Sequence, residues 1–258
     1  MININNRSIY SKVIHLCIAT LFLNSSYSYS FDCSEALKYG IPDTSHKVEL
    51  LCKSAFVNGF DRSIGEPRWS LMIVTKNSIN RTCDEQPDFI PDPEIPEYAQ
   101  ADNNAYYNNQ WDKGHLSDRA TIDSTCLAER EATYYTNAVP QHERMNRVGW
   151  RTLESRIRTV INKLGNEDEV YILTGTIIIT NRKILDTNIV IPDKIYKAVY
   201  IPSLEQSAVF VYDNAVLKTE DLKNGIMTLD DFYNEYGVNT FYVPNGSAIG
   251  LKLLGVIK

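Results

Sequence analysis

Asp112-Lys113-Gly114-His115-Leu116-Ser117, then Thr136-Asn137-Ala138-Val139-Pro140-Gln141, then Asn146-Arg147-Val148-Gly149-Trp150-Arg151-Thr152-Leu153-Glu154, decide how this chain is read. One histidine, two asparagines and two carboxylates recur on segments of different local character. Hydrolysis of a phosphodiester at a single metal ion needs these types: a base for water, a hard oxygen site for Mg²⁺, and cations for phosphate. A lone histidine such as His115 is usually an ordinary satisfied polar side chain. Its context strengthens it: Gly114 permits close backbone approach, and Asp112 and Lys113 precede it. A neutral imidazole, with its ordinary pKa near ~6.5, can accept a proton from water at physiological pH.

From Arg144 the hydrophobic period changes. Trp150, Leu153, Ile157, Val160, Ile161 and Leu164 form one stripe at ~100° per residue, which predicts a core-facing helix ending at Leu164-Gly165. Asn146 falls at its start, as an N-cap or as a neutral oxygen ligand for Mg²⁺, an ion that needs few protein contacts. Glu154 and Arg158 sit on the shoulder of the stripe, where a cleft wall would lie. A plain i, i+4 ion pair is the alternative for these two. Between His142 and Lys163 six cations stand against two acids, a local charge of +4.

That local charge matters because the whole chain is acidic. Its 258 residues carry 26 Lys and Arg against 32 Asp and Glu, a formal charge of −6. Residues 1–30 read as a secretory signal: Arg7 and Lys12 open it, Val13–Leu23 is apolar apart from His15 and Thr20, and Ser28-Tyr29-Ser30 offers a cleavage site. The apolar run, ~11 residues, is shorter than the about 20 that span a bilayer; a retained anchor is the alternative. Without the signal, 24 cations face 32 acids, a charge of −8. An acidic total argues against nucleic-acid binding unless positive charge is concentrated locally, as it is here. Residues 31–258 suit one α+β domain. The expected location is secreted or periplasmic, with no membrane anchor once the signal is removed.

Cys17 leaves with the signal, and Cys33, Cys52, Cys83 and Cys126 remain. In an exported chain an even set suggests two disulfides. Cys33–Cys52 and Cys83–Cys126 is the pairing with the shortest loops. Zinc binding is the rival, without a C-x-x-C spacing to support it.

Elsewhere, Trp69–Thr75, Val170–Ile179, Ile195–Ile201 and Ser207–Tyr212 read as strands, the second perhaps bent at Gly175. Thr133–Asn137 is short, aromatic and β-prone. Pro87–Pro96, with four prolines, is an extended surface loop. Met227–Tyr236 is a short helix capped at Thr228.

In order and spacing the three opening blocks resemble the DNA/RNA non-specific endonuclease family, the ββα-metal nucleases with a D-R-G-H signature. The resemblance is strongest over residues 67–215. It implies an α+β fold with a central, mostly antiparallel sheet flanked by helices, and a site on a strand pair and a helix. It implies His115 as general base, Asn146 as the direct Mg²⁺ ligand (with Mn²⁺ as a substitute ion), and Glu154 as holder of metal-bound water. Arg158 would stabilise charge on phosphorus, Asn137 would orient the histidine region or the substrate, and Asp112 would act from behind. Arg81 would match a further phosphate-binding arginine. Lys113 departs from the family: it keeps the charge but loses arginine's two-pronged grip. Ser117-Asp118-Arg119-Ala120 also departs, standing where the family carries small residues and proline.

The resulting expectation is a secreted, Mg²⁺-dependent, sugar-non-specific endonuclease that cuts DNA and RNA to 5′-phosphate ends. A catalytically inactive nucleic-acid binder on the same fold is the first alternative. A disulfide-stapled structural module is the second, and it leaves the +4 segment unexplained.

Overall fold

The computed structural model describes residues 32–42, 45–79, 88–184 and 187–243. The expected signal segment, Arg81 and Cys83 lie outside the described residues. Along the chain come α1 (Cys33–Ala36), β1 (Glu49–Cys52), β2 (Phe56–Asp61), β3 (Glu66–Val74), β4 (Trp111–His115), α2 (Cys126–Ala132) and β5 (Ala138–His142). A π-helical turn (Met145–Trp150) then runs into α3 (Arg151–Ile161). β6 (Val170–Ile177), β7 (Arg182–Lys183), β8 (Val190–Ile191), β9 (Lys194–Ile201), β10 (Gln206–Asp213), β11 (Ile226–Met227) and α4 (Leu229–Tyr236) follow.

Seven strands make one sheet in the order β1-β2-β3-β6-β9-β10-β11, every neighbour antiparallel. β4 and β5 form a separate antiparallel ribbon. The central strands are apolar on both faces because both are covered. Met72, Val74, Ile172, Val199 and Phe210 pack beneath the α3 stripe of Leu153, Ile157, Val160 and Ile161. Val57, Leu71, Leu173, Ala198 and Val209 face the opposite way, towards Ala36 of α1 and Phe232 of α4.

The α3 side of the sheet is not wholly apolar. Asn58, Ser70, Thr174 and Lys197 occupy successive register positions across β2, β3, β6 and β9, and all four are buried. Asn58 Nδ2 donates to the Thr136 carbonyl (2.8 Å), and the Ser70 and Ser117 hydroxyls share a bond (2.6 Å). Lys197 Nζ donates to Thr174 Oγ1 (2.6 Å) and reaches the Leu116 carbonyl (3.5 Å). This polar row seats the end of β4 and the start of β5 on the sheet.

Several local expectations need correction. Thr133–Asn137 is not a strand; Tyr135–Asn137 is a 3₁₀ turn and β5 begins at Ala138. The Thr136 carbonyl is held by Asn58, and the Asn137 side chain bonds to the backbone of Ser117 and Ala132, so this segment has no ladder to join. β6 runs unbroken through Gly175. That glycine is required by a close approach, because a Cβ there would lie 2.4 Å from the Tyr196 hydroxyl. β6 stops at Ile177, and the Asp193 carboxylate takes the next amides, of Ile179 (2.6 Å) and Thr180 (2.8 Å). β3 begins at Glu66, before the expected Trp69. Pro67 is tolerated because pairing with β6 starts only at Trp69, so its missing N–H costs no bond on that side. Thr228 caps α4 as expected, accepting from the Asp231 amide (2.7 Å).

Cys33 and Cys52 are disulfide-bonded with Cα atoms 6.1 Å apart, tying α1 to β1. Cys126 is also disulfide-bonded; its expected partner, Cys83, lies outside the described residues. Closing a loop of 19 residues' separation restricts the unfolded chain by about 3 kcal/mol. Replacing Cys33 and Cys52 together by serine should therefore lower unfolding stability by about 3 kcal/mol in urea titration, with the sheet's far-UV signature intact.

Candidate active site

The β4–β5 ribbon, the π-helical turn and α3 converge on an open cleft of about 300 Å³ lined by His115, Asp118, Arg119, Ala120, Asn146, Arg147, Arg151, Glu154 and Arg158. Of the residues expected from sequence, His115, Asn146, Glu154 and Arg158 meet here. Asp112, Lys113 and Asn137 do not line the cleft, and Arg81 lies outside the described residues.

His115 ends β4, opposite Ala138. Gly114 before it is fixed by another close approach: a Cβ would meet the Gln141 side chain at 2.4 Å. The His115 ring lies 4.7 Å from that of Phe89, and its Nε2 is shielded from water with no hydrogen-bond partner among the described residues. Burial is the main cause that lowers its pKa to about 4; the Asp118 carboxylate opposes this and the Arg119 guanidinium adds to it. The imidazole is therefore neutral at pH 7, the form a base requires. Asn137 acts from beneath. It is fully buried, donates to the Ser117 and Ala132 carbonyls (both 2.9 Å) and accepts from the Ser117 amide (3.0 Å). It shapes the turn after His115 and has no access to substrate.

Asn146 is not an N-cap. It lies inside the π-helical turn, which continues directly into α3 with no side-chain cap. The wider turn places Asn146 over the ribbon, where its Nδ2 donates to Asp112 Oδ2 (3.0 Å). Asp112 also takes a fork from Arg147, at 2.9 and 2.5 Å. With the amide nitrogen committed to Asp112, Asn146 Oδ1 remains an acceptor in the cleft.

Glu154 and Arg158 do not pair with each other. Arg158 Nη1 donates to Asp118 Oδ1 (2.6 Å). The cation nearest Glu154 is Lys197, whose Nζ is 3.8 Å from Oε1. Burial and the Asp118 charge push the Glu154 carboxyl up, against the pull of Lys197 and Arg158. Lys197 is pushed down by its own burial. Its ammonium also lies 5.2 Å from the Trp150 ring centre. Lys113 is turned away, donating to Asn103 Oδ1 (2.6 Å) over the rings of Phe89 and Tyr135.

Sequence reasoning missed Lys197, and it treated Asp118 and Arg119 only as oddities. Lys197 had a readable signal. It shares a strand face with Ile195 and Val199, both buried, so a lysine interrupts an otherwise apolar row. The Asp118–Arg158 bond spans 40 positions and had none.

The oxygen donors in the cleft are the Asn146 amide and the Asp118 and Glu154 carboxylates, of which Asp118 is committed to Arg158. That suits a hard divalent ion keeping most of its waters. Among the described residues no group of three or more His, Cys, Asp or Glu could hold a metal, so a zinc-type cage is not built by these residues.

The chain matches the DNA/RNA non-specific endonuclease family over residues 33–244 and belongs to it. It is 25% identical over 174 residues to the mitochondrial nuclease EXOG of Homo sapiens, covering 63% of this chain and 46% of that protein. It is 29% identical over 150 residues to mitochondrial Nuclease 1 of Schizosaccharomyces pombe, covering 57% and 45%. The chain thus spans about half the length of these curated relatives. A chain in the crystal structure of the EndoG/EndoGI complex matches with a TM-score of 0.70 and 21% identity, over 81% of this chain and 91% of that one. The fold is that of the ββα-metal nucleases. The relatives correct one expectation: both are mitochondrial nucleases, which does not fit a secreted or periplasmic location.

A titration of the His115 ring by NMR should find it neutral down to about pH 5. The sign follows from the lowered pKa. Between the unfolded value, ~6.5, and about 4 the unfolded chain binds more protons. Stability from the neutral ring is therefore full above pH 6.5 and lost as pH falls towards 4.

Proposed function

We propose that this chain is a sugar-non-specific endonuclease that hydrolyses phosphodiester bonds of DNA and RNA to 5′-phosphate ends, using one Mg²⁺, with Mn²⁺ as a substitute. Residues 31–258 form its single endonuclease domain. The observation that carries the reading is the convergence of His115, Asn146, Glu154 and Arg158 on one cleft from β4, the π-helical turn and α3.

His115, neutral and desolvated, takes a proton from water as the water attacks phosphorus in line with the departing 3′ oxygen. Arg158, held by Asp118, faces the charge that grows on the phosphate oxygens. Asn146 Oδ1, aimed by Asp112, would hold the ion and Glu154 would hold water bound to it; the ion when bound supplies Lewis-acid stabilisation of the phosphate and of the leaving 3′ oxygen. Asn137 fixes the turn that follows the base. Contacts that go to the phosphate backbone carry no sequence information, so sequence preference is weak.

Cleavage of plasmid, linear DNA and RNA should be seen on gels with Mg²⁺ and abolished by EDTA. His115→Ala should lose more than about a thousandfold in rate without a change in thermal unfolding. Cleavage retained by that variant would overturn the assignment of the base, and binding without cleavage by the wild type would favour a non-catalytic nucleic-acid protein. Asn146→Ala should raise the Mg²⁺ concentration needed for half-maximal rate, read from a metal titration.

A further inference from the structure

We propose that Arg119 is the cation that grips a backbone phosphate of the nucleic acid beside His115, a role for which Lys113 is not placed; this rests on the endonuclease reading above. Four arginines line the cleft: Arg119, Arg147, Arg151 and Arg158. Two are already paired with carboxylates. Arg158 is bonded to Asp118 with both side chains largely buried, and Arg147 is forked on Asp112 with Glu143 at 3.3 Å. Lys113 is outside the cleft lining and committed to Asn103. Arg119 and Arg151 have no ion pair among the described residues. Of these two, Arg119 comes from the same segment as the base, and its charge is felt at the His115 ring.

The backbone that carries Arg119 is held from three sides. Ser117 before it is bonded to Ser70 (2.6 Å) and to Asn137 (3.0 Å). Asp118 is bonded to Arg158, and its side chain also takes the Thr121 hydroxyl. The Thr121 amide donates to the Asp118 carbonyl (3.1 Å), closing the turn. A guanidinium on a fixed stem, next to a base and without an ion pair among the described residues, matches the two-oxygen geometry of a phosphodiester. The same bonds explain the local departure from the family pattern. Asp118 occupies Arg158, and the adjacent residue supplies a free positive charge.

Two measurements separate this inference from the reading it rests on. Binding of a fluorescein-labelled oligonucleotide is followed in EDTA across a salt series for wild type, Arg119→Ala, Arg119→Lys, and Lys223→Ala as an exposed control outside the cleft. Arg119→Ala should bind about tenfold more weakly, with the slope of log affinity on log salt reduced by about one phosphate contact. Arg119→Lys should keep the slope, and Lys223→Ala should match wild type. Inorganic phosphate, as competitor, should displace the oligonucleotide less from Arg119→Ala than from wild type if the site takes any phosphate, and equally poorly from both if it takes only a polynucleotide. Unchanged affinity and slope in Arg119→Ala would overturn the inference. In the second measurement, cleavage with Mg²⁺, Arg119→Ala should lose about a hundredfold in kcat/KM. A wild type that binds but never cleaves would remove the endonuclease reading and leave the assignment of Arg119 to the binding series.

Discussion

Four buried polar side chains in register, Asn58, Ser70, Thr174 and Lys197, hold the β4–β5 ribbon against the sheet. Such a row is expensive unless each group is bonded, because a buried donor without a partner costs about 1–3 kcal/mol. Here the partners are the backbone of Leu116 and Thr136 and the Ser117 hydroxyl, the residues that flank β4 and β5; Asn58 Oδ1 has no partner among the described residues. The bonds are directional, so the ribbon can sit on the sheet in only one register. Apolar contacts alone would let it slide. Lys197 also links this layer to α3, since its ammonium approaches Glu154 and the Trp150 ring.

Charge in this molecule is organised by distance, not by total. The chain is net acidic, yet the cleft is lined by four arginines against Asp118 and Glu154. At about 0.15 M salt, charges more than ~8 Å apart across solvent are largely screened, so a phosphate entering the cleft experiences mainly the arginines. Pairing then sorts those arginines by task. Arg147 fixes Asp112, and Asp112 aims the Asn146 amide. Asp118 fixes Arg158.

Much of this was readable in the chain. The α3 stripe predicted its buried face because a helix repeats every ~3.6 residues, and Trp150, Leu153, Ile157, Val160 and Ile161 are all buried. The misreadings share one cause. At Thr133–Asn137 and at Ile177, local propensity was overruled by hydrogen bonds from residues far away in sequence, Asn58 and Asp193. Lys113 is the clearest case in the site. It shares a strand face with His115, two residues on, and both lie against Phe89, but Asn103 and two aromatic rings hold its ammonium outside the cleft lining.

By itself the sequence determined the class: the ordered blocks Asp112–Ser117, Thr136–Gln141 and Asn146–Glu154, and the amphipathic period of α3. These rest on short-range spacing, which the chain carries openly. Only the tertiary structure decided which charges are spent and which are free. The Asp118–Arg158 bond and the Lys197 ammonium below Glu154 depend on contacts between segments distant in sequence, and so does which cleft arginine has no ion pair among the described residues. Such contacts are set by how sheet, ribbon and helix pack, and no local pattern encodes them.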